Sequence, residues 1–295
     1  TNTSIYQDMA QRTGGDIYLG LVGPVRTGKS TFIRRFMETL VIPNIEDVYA
    51  RERAKDELPQ SGSGRTIMTA EPKFVPEDAV NVTLDGGVSF SVRLVDCVGY
   101  MVDGASGQFE DGAERMVATP WFDEEVSMSR AAEEGTRRVI AEHSTIGVVM
   151  TTDGSICGIP REGYVPAEER VVAELKAIGK PFVLVLNSAD PDSDAAQALR
   201  AELADKYGVT CVCVNCLDLT GEDIDDILRF ALYEFPIAEL GIYLPSWLDA
   251  LPADAPLKAG IFEGIAEAVQ HMSRVRDAFG IMDALGERED VTPQR

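Results

Sequence analysis

A glycine-rich segment near the N-terminus contains the residue types that enclose phosphate groups. Residues 23–30 read GPVRTGKS: a glycine, four residues, a second glycine, a lysine and a serine. The glycines let the backbone turn its N–H groups towards a phosphate, Lys29 can reach the β- and γ-phosphates, and the Ser30 hydroxyl can coordinate Mg²⁺. The segment predicts a P-loop that binds a nucleoside triphosphate with Mg²⁺. The expected nucleotide contacts in it are Gly23, Val25, Arg26, Thr27, Gly28, Lys29, Ser30 and Thr31.

A second segment, Asp96-Cys97-Val98-Gly99, follows a strand predicted at residues 88–95. An acid at the end of a strand beside a P-loop can hold a water bound to Mg²⁺, and the Gly99 N–H can reach the γ-phosphate. Ras-type enzymes place a water-orienting glutamine after this motif, where this chain has Tyr100. Gln108 lies in the same glycine-rich loop, but the sequence does not position it. We therefore predict that hydrolysis is slow, or that self-assembly or a partner protein is needed to complete the catalytic reaction.

The loop between these two segments supplies hydroxyl groups. Nucleotide switches use such a hydroxyl to close on Mg²⁺ and to sense the γ-phosphate. Thr69 is the predicted sensor, because a short extended segment follows it, and Thr66 is the alternative. Arg65 is a candidate arginine finger, with a solvated loop arginine as the open alternative. The predicted catalytic residues are Lys29, Asp96, Thr69 and Arg65, and the predicted metal ligands are Ser30, Thr69 and Asp96.

The segment after a strand predicted at residues 181–186 bears on which base is bound. GTPases of this topology have Asn-Lys-x-Asp there, whose aspartate pairs with the guanine edge, whereas this chain has Asn187-Ser188-Ala189-Asp190. The lysine whose stem covers the base is missing. After the next strand, Asn215-Cys216-Leu217 replaces the usual Ser-Ala-Lys. Both departures favour adenine or relaxed specificity, with Asn187, Asp190 and Asn215 as candidate nucleotide contacts.

The elements that would position these segments alternate between strands and helices. Buried strands are predicted at 16–22, 146–150, 181–186 and 209–214, and helices at 4–12, 29–40, 124–142, 167–178, 195–207 and 222–234. Strands at 80–84 and 88–95 flank Asp85-Gly86-Gly87, which indicates a hairpin. This order predicts an α/β, GTPase-like P-loop NTPase fold with a mostly parallel sheet, helices on both faces and one antiparallel edge. The polar stretch at 43–71 is expected to be a functional loop.

The alternation ends after residue 235. Four prolines punctuate a linker, and residues 257–285 have helical spacing. We predict a P-loop ATPase domain at residues 1–235, followed by a linker and a helical segment, the start of a second domain, at residues 236–295. The helical segment carries an apolar stripe that we expect to be a partner or self-association surface. The stripe comprises Ile261, Ile265, Ala268, Val269, Met272, Val275 and Phe279.

Composition argues against several classes of function. The formal net charge is −22, so a phosphate backbone would be repelled and nucleic acid is not an expected partner. The same charge gives no attraction to anionic lipid, so membrane association would need an adaptor or a local patch. No apolar run reaches the length that crosses a bilayer, and the odd number of cysteines suits a reducing cytosol. Buried structural thiols are favoured over a zinc site at Cys211, Cys213 and Cys216.

Five segments together resemble the stage IV sporulation protein A family, ATPases that build the basement layer of the spore coat in endospore-forming bacteria. They are GGDIY at 14–18, GPVRTGKSTFIRRFMETLVIPNI at 23–45, SGSGRTIMTAEPKFVP at 61–76, LVDCVGYMVDGA at 94–105 and TTDGSICGIPREGYVPAEERV at 151–171. The family belongs to the translation-factor-related GTPase class with ATP in place of GTP, which agrees with the altered motif at 187–190. Members are longer than this chain, so we expect the C-terminal assembly region to be absent and polymerisation to be impaired.

The resemblance implies hydrolysis of ATP with Mg²⁺, coupled to irreversible self-assembly. It also implies a mother-cell cytoplasmic protein that is peripheral at the outer forespore membrane, is recruited by a small amphipathic membrane-anchoring protein, and recruits other coat proteins. The family's lysine maps onto Lys29, its Walker B aspartate onto Asp96 and its sensor threonine onto Thr69, while a second sensor threonine would fall at Ala70. Two alternatives stay open: a nucleotide-gated scaffold with incidental hydrolysis, and a GTP-dependent switch.

Overall fold

The structure is a computed structural model that describes residues 3–59, 72–84, 88–102, 109–110, 113–237, 239–252, 255–270 and 272–280. The chain divides into two compact units, Thr1–Leu232 and Tyr233–Arg295. The roles predicted for the two parts, and the exact boundary between them, stay predictions.

A central sheet organises the first unit. Its strands are β1 (Asp16–Val22), β2 (Lys73–Leu84), β3 (Val88–Asp96), β4 (Ile146–Thr152), β5 (Phe182–Asn187) and β6 (Cys211–Val214). Their spatial order is β6-β5-β4-β1-β3-β2, and β2 and β3 are antiparallel while the other neighbours are parallel. Every residue of β4 and β5 is buried, as strands covered on both faces require. The predicted α/β fold with its antiparallel edge is confirmed.

Helices cover both faces of this sheet. They are α1 (Thr3–Thr13), α2 (Lys29–Phe36), α3 (Val48–Asp56), α4 (Met128–Glu142), α5 (Arg161–Ile178), α6 (Asp194–Tyr207) and α7 (Gly221–Tyr233). Helices α4, α5 and α6 share one apolar cluster with Val95 of β3. Phe90 of β3 points to the opposite face, because side chains alternate along a strand, and there it stacks on Tyr6 of α1. The Tyr6 hydroxyl in turn donates to Asp225 of α7 at 2.5 Å.

Several element boundaries differ from the predicted ones. Residues 43–71 are not one continuous loop, since they contain α3, whose N-terminus is capped by the Asp47 carboxylate accepting from the Tyr49 N–H. Helix α2 ends at Phe36 and continues as a π-turn and a 3₁₀ turn to Asn44. Helix α4 begins at Met128 rather than at residue 124, because the Ser127 hydroxyl caps it. Two short ribbons precede it, pairing Phe109–Glu110 with Ala113–Glu114 and Met116–Val117 with Val126–Ser127.

The second unit contains helix α8 (Pro256–Val269) and a 3₁₀ turn at Val275–Gly280. The predicted helical C-terminal segment is confirmed, but in the described residues it is not continuous from residue 257, and residues 281–285 lie outside the described part. The segment after α8 contacts the first residues of the same unit. The Val275 N–H donates to Phe235 O, and the buried Glu234 carboxylate forms ion pairs with Arg274 and Arg276. The apolar stripe from residue 261 to 279 is thus divided between two elements. Among the described residues, no helix is long and apolar enough to cross a membrane.

Candidate active site

The P-loop connects β1 to α2 through backbone conformations that favour glycine. Gly23 has φ +137, and Gly28, the residue that caps α2, has φ +92. A Cβ atom on Gly23 would lie 2.2 Å from the carbonyl oxygen of Met150 in β4, so a side chain has no room there. Arg26 also has a positive φ, +63. The loop therefore has the tight turn and the helix N-terminus that favour an anion.

The side chain of Lys29 lies inside this loop and is buried. Its Nζ donates to the carbonyl oxygens of Pro24 at 2.6 Å and Gly23 at 3.4 Å. Burial lowers the pKa of Lys29, and the nearby Cys97 and Asp96 oppose this effect. Carbonyl oxygens carry no full negative charge. A buried ammonium group that is held only by carbonyl oxygens is therefore strongly stabilised when an anion binds beside it. The arrangement fits the predicted contact between Lys29 and a phosphate.

Two oxygen-bearing side chains meet beside the loop. Ser30, the second residue of α2, donates its hydroxyl to Oδ2 of Asp96 at the end of β3, at 2.7 Å. Burial raises the pKa of Asp96, against the opposing effects of Ser30 and Lys29. A hydroxyl and a carboxylate are hard oxygen donors of the kind that Mg²⁺ binds. The pair fits the predicted metal site, and the assigned roles stay predictions.

Gly99 closes the cradle from the side of β3. Its φ is +92, and a Cβ atom on it would lie 2.2 Å from Gly23 O and 2.6 Å from Lys29 Nζ. The segment 96–99 is thus packed against the P-loop so closely that only glycine fits. The Gly99 backbone thus lies close to the lysine amine, and its contact with the γ-phosphate stays a prediction.

Tyr100 is a structural residue that the sequence did not identify as one. Its N–H donates to Gly23 O at 3.1 Å, and its carbonyl accepts from the Val25 N–H at 2.9 Å. Its hydroxyl donates to Glu174 of α5, and the Arg170 guanidinium lies 4.8 Å from its ring. Burial and the bond to Glu174 raise the pKa of this hydroxyl. Tyr100 therefore locks the 96–99 segment to the P-loop and is not free to orient a water.

The predicted base-side residues divide into buried and exposed groups. Asn187 is buried and holds two loops together: its Nδ2 donates to Thr27 O at 3.1 Å, and its Oδ1 accepts from the Cys216 N–H at 3.0 Å. Asp190 is exposed. Asn215 is partly buried, and its Oδ1 accepts from the Leu217 N–H at 3.0 Å. Asn187 thus joins the P-loop to the loop after β6, and the contacts predicted between these residues and the base stay predictions.

The remaining predicted residues have different positions. Val25 and Thr27 are buried, and the Thr27 hydroxyl donates to Pro24 O at 3.0 Å, while Thr31 lies in α2 and is partly buried. The predictions for the connecting loops fall outside the residues that the structure describes. These residues are Arg65, Thr66, Thr69, Ala70 and Gln108.

The loop after β4 also borders the site, and only the family resemblance drew attention to it. The Cys157 thiol lies 3.6 Å from Arg26 O in the P-loop. Asp153 accepts hydrogen bonds from Ser155 and from Ser188, which stands where the guanine motif has lysine. Strand β4 lies between β1 and β5, so its C-terminal loop necessarily lies between the P-loop and residues 187–190. In the part of the chain that the structure describes, no three His, Cys, Asp or Glu side chains group as a metal site.

Comparison with known proteins agrees with this geometry. Residues 1–236 match the family model for the ATPase domain of stage IV sporulation protein A, and residues 237–294 match the model for its middle domain. The stage IV sporulation protein A of Clostridioides difficile (strain 630) is 49% identical over 288 residues, which cover 98% of this chain and 59% of that protein. The protein of the same name from Bacillus anthracis is 51% identical over 273 residues, 92% of this chain and 56% of that protein.

A third relative of the same name, from Bacillus subtilis (strain 168), is 49% identical over 287 residues, 97% of this chain and 58% of that protein. The chain thus spans less than two thirds of the length of these curated relatives. The family match confirms the resemblance noted from the sequence, and the matched model for residues 1–236 is that of an ATPase domain. The chain belongs to the stage IV sporulation protein A family.

Proposed function

We propose that this chain binds ATP with Mg²⁺ and hydrolyses it, and that in the full-length family protein the hydrolysis drives self-assembly of the basement layer of a spore coat. The observation that carries the proposal is the buried amine of Lys29. It lies in a cradle of left-handed glycines, and its hydrogen-bond partners, Pro24 O and Gly23 O, are neutral. A bound phosphate would supply the negative charge that the partners of this ammonium group lack. The match to the family's ATPase domain supports the same reading.

Within this proposal each residue has a separate task. Lys29 binds and orients the β- and γ-phosphates, and the P-loop N–H groups and the start of α2 hold their oxygens. Ser30 and Asp96 would hold Mg²⁺, together with Thr69, which stays a prediction from the sequence. When bound, the metal neutralises charge on the phosphate oxygens during transfer to water. Arg65 is proposed to add charge stabilisation from the connecting loop.

A second candidate function is a scaffold whose shape is set by bound nucleotide and in which hydrolysis is incidental. The position of Tyr100 favours it, because both backbone groups and the hydroxyl of this residue are engaged by protein partners. No water-orienting group is therefore provided at this position.

Assembly of the protein should be compared by sedimentation with ATP and with a non-hydrolysable analogue. Equal assembly in both would favour the scaffold, and assembly only with ATP would favour the motor. A clear preference for GTP over ATP in a competition assay would instead support a GTP-dependent switch.

The proposed cellular setting follows from the family and from charge. We propose that the protein acts in the mother-cell cytoplasm, peripherally at the outer forespore membrane, where it associates with itself. A small amphipathic membrane-anchoring protein would recruit it, and it would recruit other coat proteins. The net charge of −22 supports an anchor over direct binding to anionic lipid, and argues against nucleic acid as a partner.

The test compares two lysines that both donate to backbone carbonyls. Lys29→Ala removes the amine in the P-loop, whereas Lys180→Ala removes an amine that donates to Ser144 O at 2.6 Å, at the N-terminal end of the parallel strands, opposite the P-loop. We expect Mg²⁺-dependent ATP turnover to fall at least about a hundredfold in Lys29→Ala, in line with loss of a group that stabilises developing charge, and to persist in Lys180→Ala. Parent-like turnover in folded Lys29→Ala would refute the proposed site.

A further inference from the structure

The edge of the site next to residues 187–190 has an open rim over a buried floor. Ala189, Asp190 and Leu217 are exposed, and Leu217 has 63% of its surface accessible. Beneath them, Ser188 and Cys216 are each 1% exposed. Two loops, 188–190 after β5 and 216–218 after β6, thus form this base-side edge. It can be reached from solvent, and it adjoins the P-loop through Asn187.

Every backbone N–H group of these two loops is already bonded within the chain. Those after β5 donate as follows: Ser188 to Val214 O at 3.0 Å, Ala189 to Ser155 Oγ at 2.9 Å and Asp190 to Ser188 Oγ at 3.1 Å. Those after β6 donate as follows: Cys216 to Asn187 Oδ1, Leu217 to Asn215 Oδ1 and Asp218 to Asn215 O, each at 3.0 Å. The backbone of the base-side edge therefore has no N–H left to donate to a ligand.

In the loop after β5, the hydrogen bonds of Ala189 and Asp190 depend on the Asp153 carboxylate. Its carboxylate accepts from the Ser155 hydroxyl and from the Ser188 hydroxyl, each at 2.6 Å. Although burial opposes them, these bonds lower the pKa of Asp153, so it is ionised at neutral pH and can only accept. Both hydroxyl hydrogens are thereby committed to Asp153. The two hydroxyl oxygens are left to accept the N–H groups of Ala189 and Asp190.

The two purines differ at position 6 in the sign of their hydrogen bonding. Adenine carries an amino group that donates, and guanine carries a carbonyl oxygen that accepts. A carbonyl placed against an edge with no free N–H would lose its bond to water without replacement, whereas a 6-amino group needs no donor from the protein. We propose that Asp153, Ser155 and Ser188 form a specificity-determining network that selects adenine over guanine by consuming the N–H donors of this edge.

This inference rests on the proposed function, because it assumes that a nucleotide base occupies this edge. It is tested with four triphosphates that vary positions 2 and 6 separately: ATP, ITP, GTP and 2,6-diaminopurine riboside triphosphate. ATP and the diaminopurine nucleotide share the 6-amino group, and ITP and GTP share the 6-carbonyl. We expect the first pair to bind roughly tenfold to a hundredfold more tightly than the second, the range that one unsatisfied polar group accounts for.

Substitutions then assign the preference to the network. Ser155→Ala removes an exposed hydroxyl and frees the Ala189 N–H, and Ser188→Ala frees the Asp190 N–H in the same way. We expect each variant to lower the ATP:GTP affinity ratio about fivefold, mainly by improving GTP binding. The control is Ser91→Ala, which removes a hydroxyl bonded to Asn81 between β3 and β2, at the far edge of the sheet.

The outcomes separate this inference from the proposed function. The specificity role of the network is refuted, while ATP binding itself stands, by either of two results. One is that the affinities group by the substituent at position 2 instead of position 6, and the other is that the ATP:GTP affinity ratio is unchanged in both folded variants. The proposed site and the inference are both refuted if none of the four nucleotides binds, or if all four bind and Lys29→Ala does not weaken their binding.

Discussion

Replacing Gly99 with alanine tests whether the phosphate cradle has room for one more carbon atom. At φ +92, a Cβ atom on this residue would lie 2.2 Å from Gly23 O and 2.6 Å from Lys29 Nζ. A non-glycine residue in this backbone region costs about 1–2 kcal/mol, and a methyl group forced into a packed site costs about 1–3 kcal/mol. We therefore expect Gly99→Ala to lower the free energy of unfolding by about 2–5 kcal/mol, the sum of the two terms.

A matched control isolates the steric part of this cost. Gly179, which ends α5, has φ +71, and no atom lies within 4 Å of a Cβ atom built on it. Gly179→Ala should therefore cost only the backbone term, about 1–2 kcal/mol. The lysine amine can swing away from a new methyl group, but the Gly23 carbonyl cannot move without opening the P-loop, so Gly99→Ala should also weaken nucleotide binding.

Urea unfolding followed by circular dichroism measures the stability of both variants. Titration with a fluorescent ATP analogue, under conditions in which both are folded, measures binding. If the two alanine variants are equally destabilised and both bind nucleotide with the parent affinity, the cradle has more room than the structure indicates and the reasoning is refuted.

Two further substitutions test the residues that hold the site together. Asn187→Ala leaves a carbonyl and an N–H without their buried partners, so we expect a loss of about 2–5 kcal/mol in the free energy of unfolding, measured in urea, and weaker ATP binding; a loss below the error of the measurement would contradict the joining role. Tyr100→Phe removes only the bond to Glu174, which is partly exposed and can be rehydrated. We expect a loss of about 0.5–1.5 kcal/mol with ATP turnover within about twofold of the parent, since the backbone bonds that lock this residue remain. A large fall in turnover at unchanged stability would show instead that the hydroxyl acts in the reaction.

The central fold could be predicted from the sequence because its signals are local. Strands β1, β4 and β5 are short apolar runs, and strands buried on both faces have this composition. Helix α3 was missed for the opposite reason. Its one buried residue is Ala54, so it has almost no apolar periodicity, and it forms through its Asp47 cap and helix-favouring residues.

The chemistry of the site was predictable where it lies in one continuous segment. The P-loop and the segment 96–99 each carry a motif whose spacing reflects phosphate binding. The bond between Asp153 and Ser188 joins positions 35 residues apart, and it exists because β4 and β5 are neighbours in the sheet. In the sequence, Ser188 was visible only as a missing lysine. The structure shows that the serine has a bonding role of its own.

The contact between Gly28 and Asn187 shows why the motif at 187–190 is altered at one position and kept at another. A Cβ atom on Gly28 would lie 2.3 Å from Asn187 Nδ2, so the last glycine of the P-loop and this asparagine are packed directly together. Asn187 donates to Thr27 O of the P-loop, so a substitution there would disturb the P-loop. The Ser188 hydroxyl instead donates to Asp153 in the loop after β4. With the base at this edge, as proposed above, base specificity can change at residue 188 without altering the bond between Asn187 and the P-loop, and the Asn187-Ser188-Ala189-Asp190 segment has this pattern.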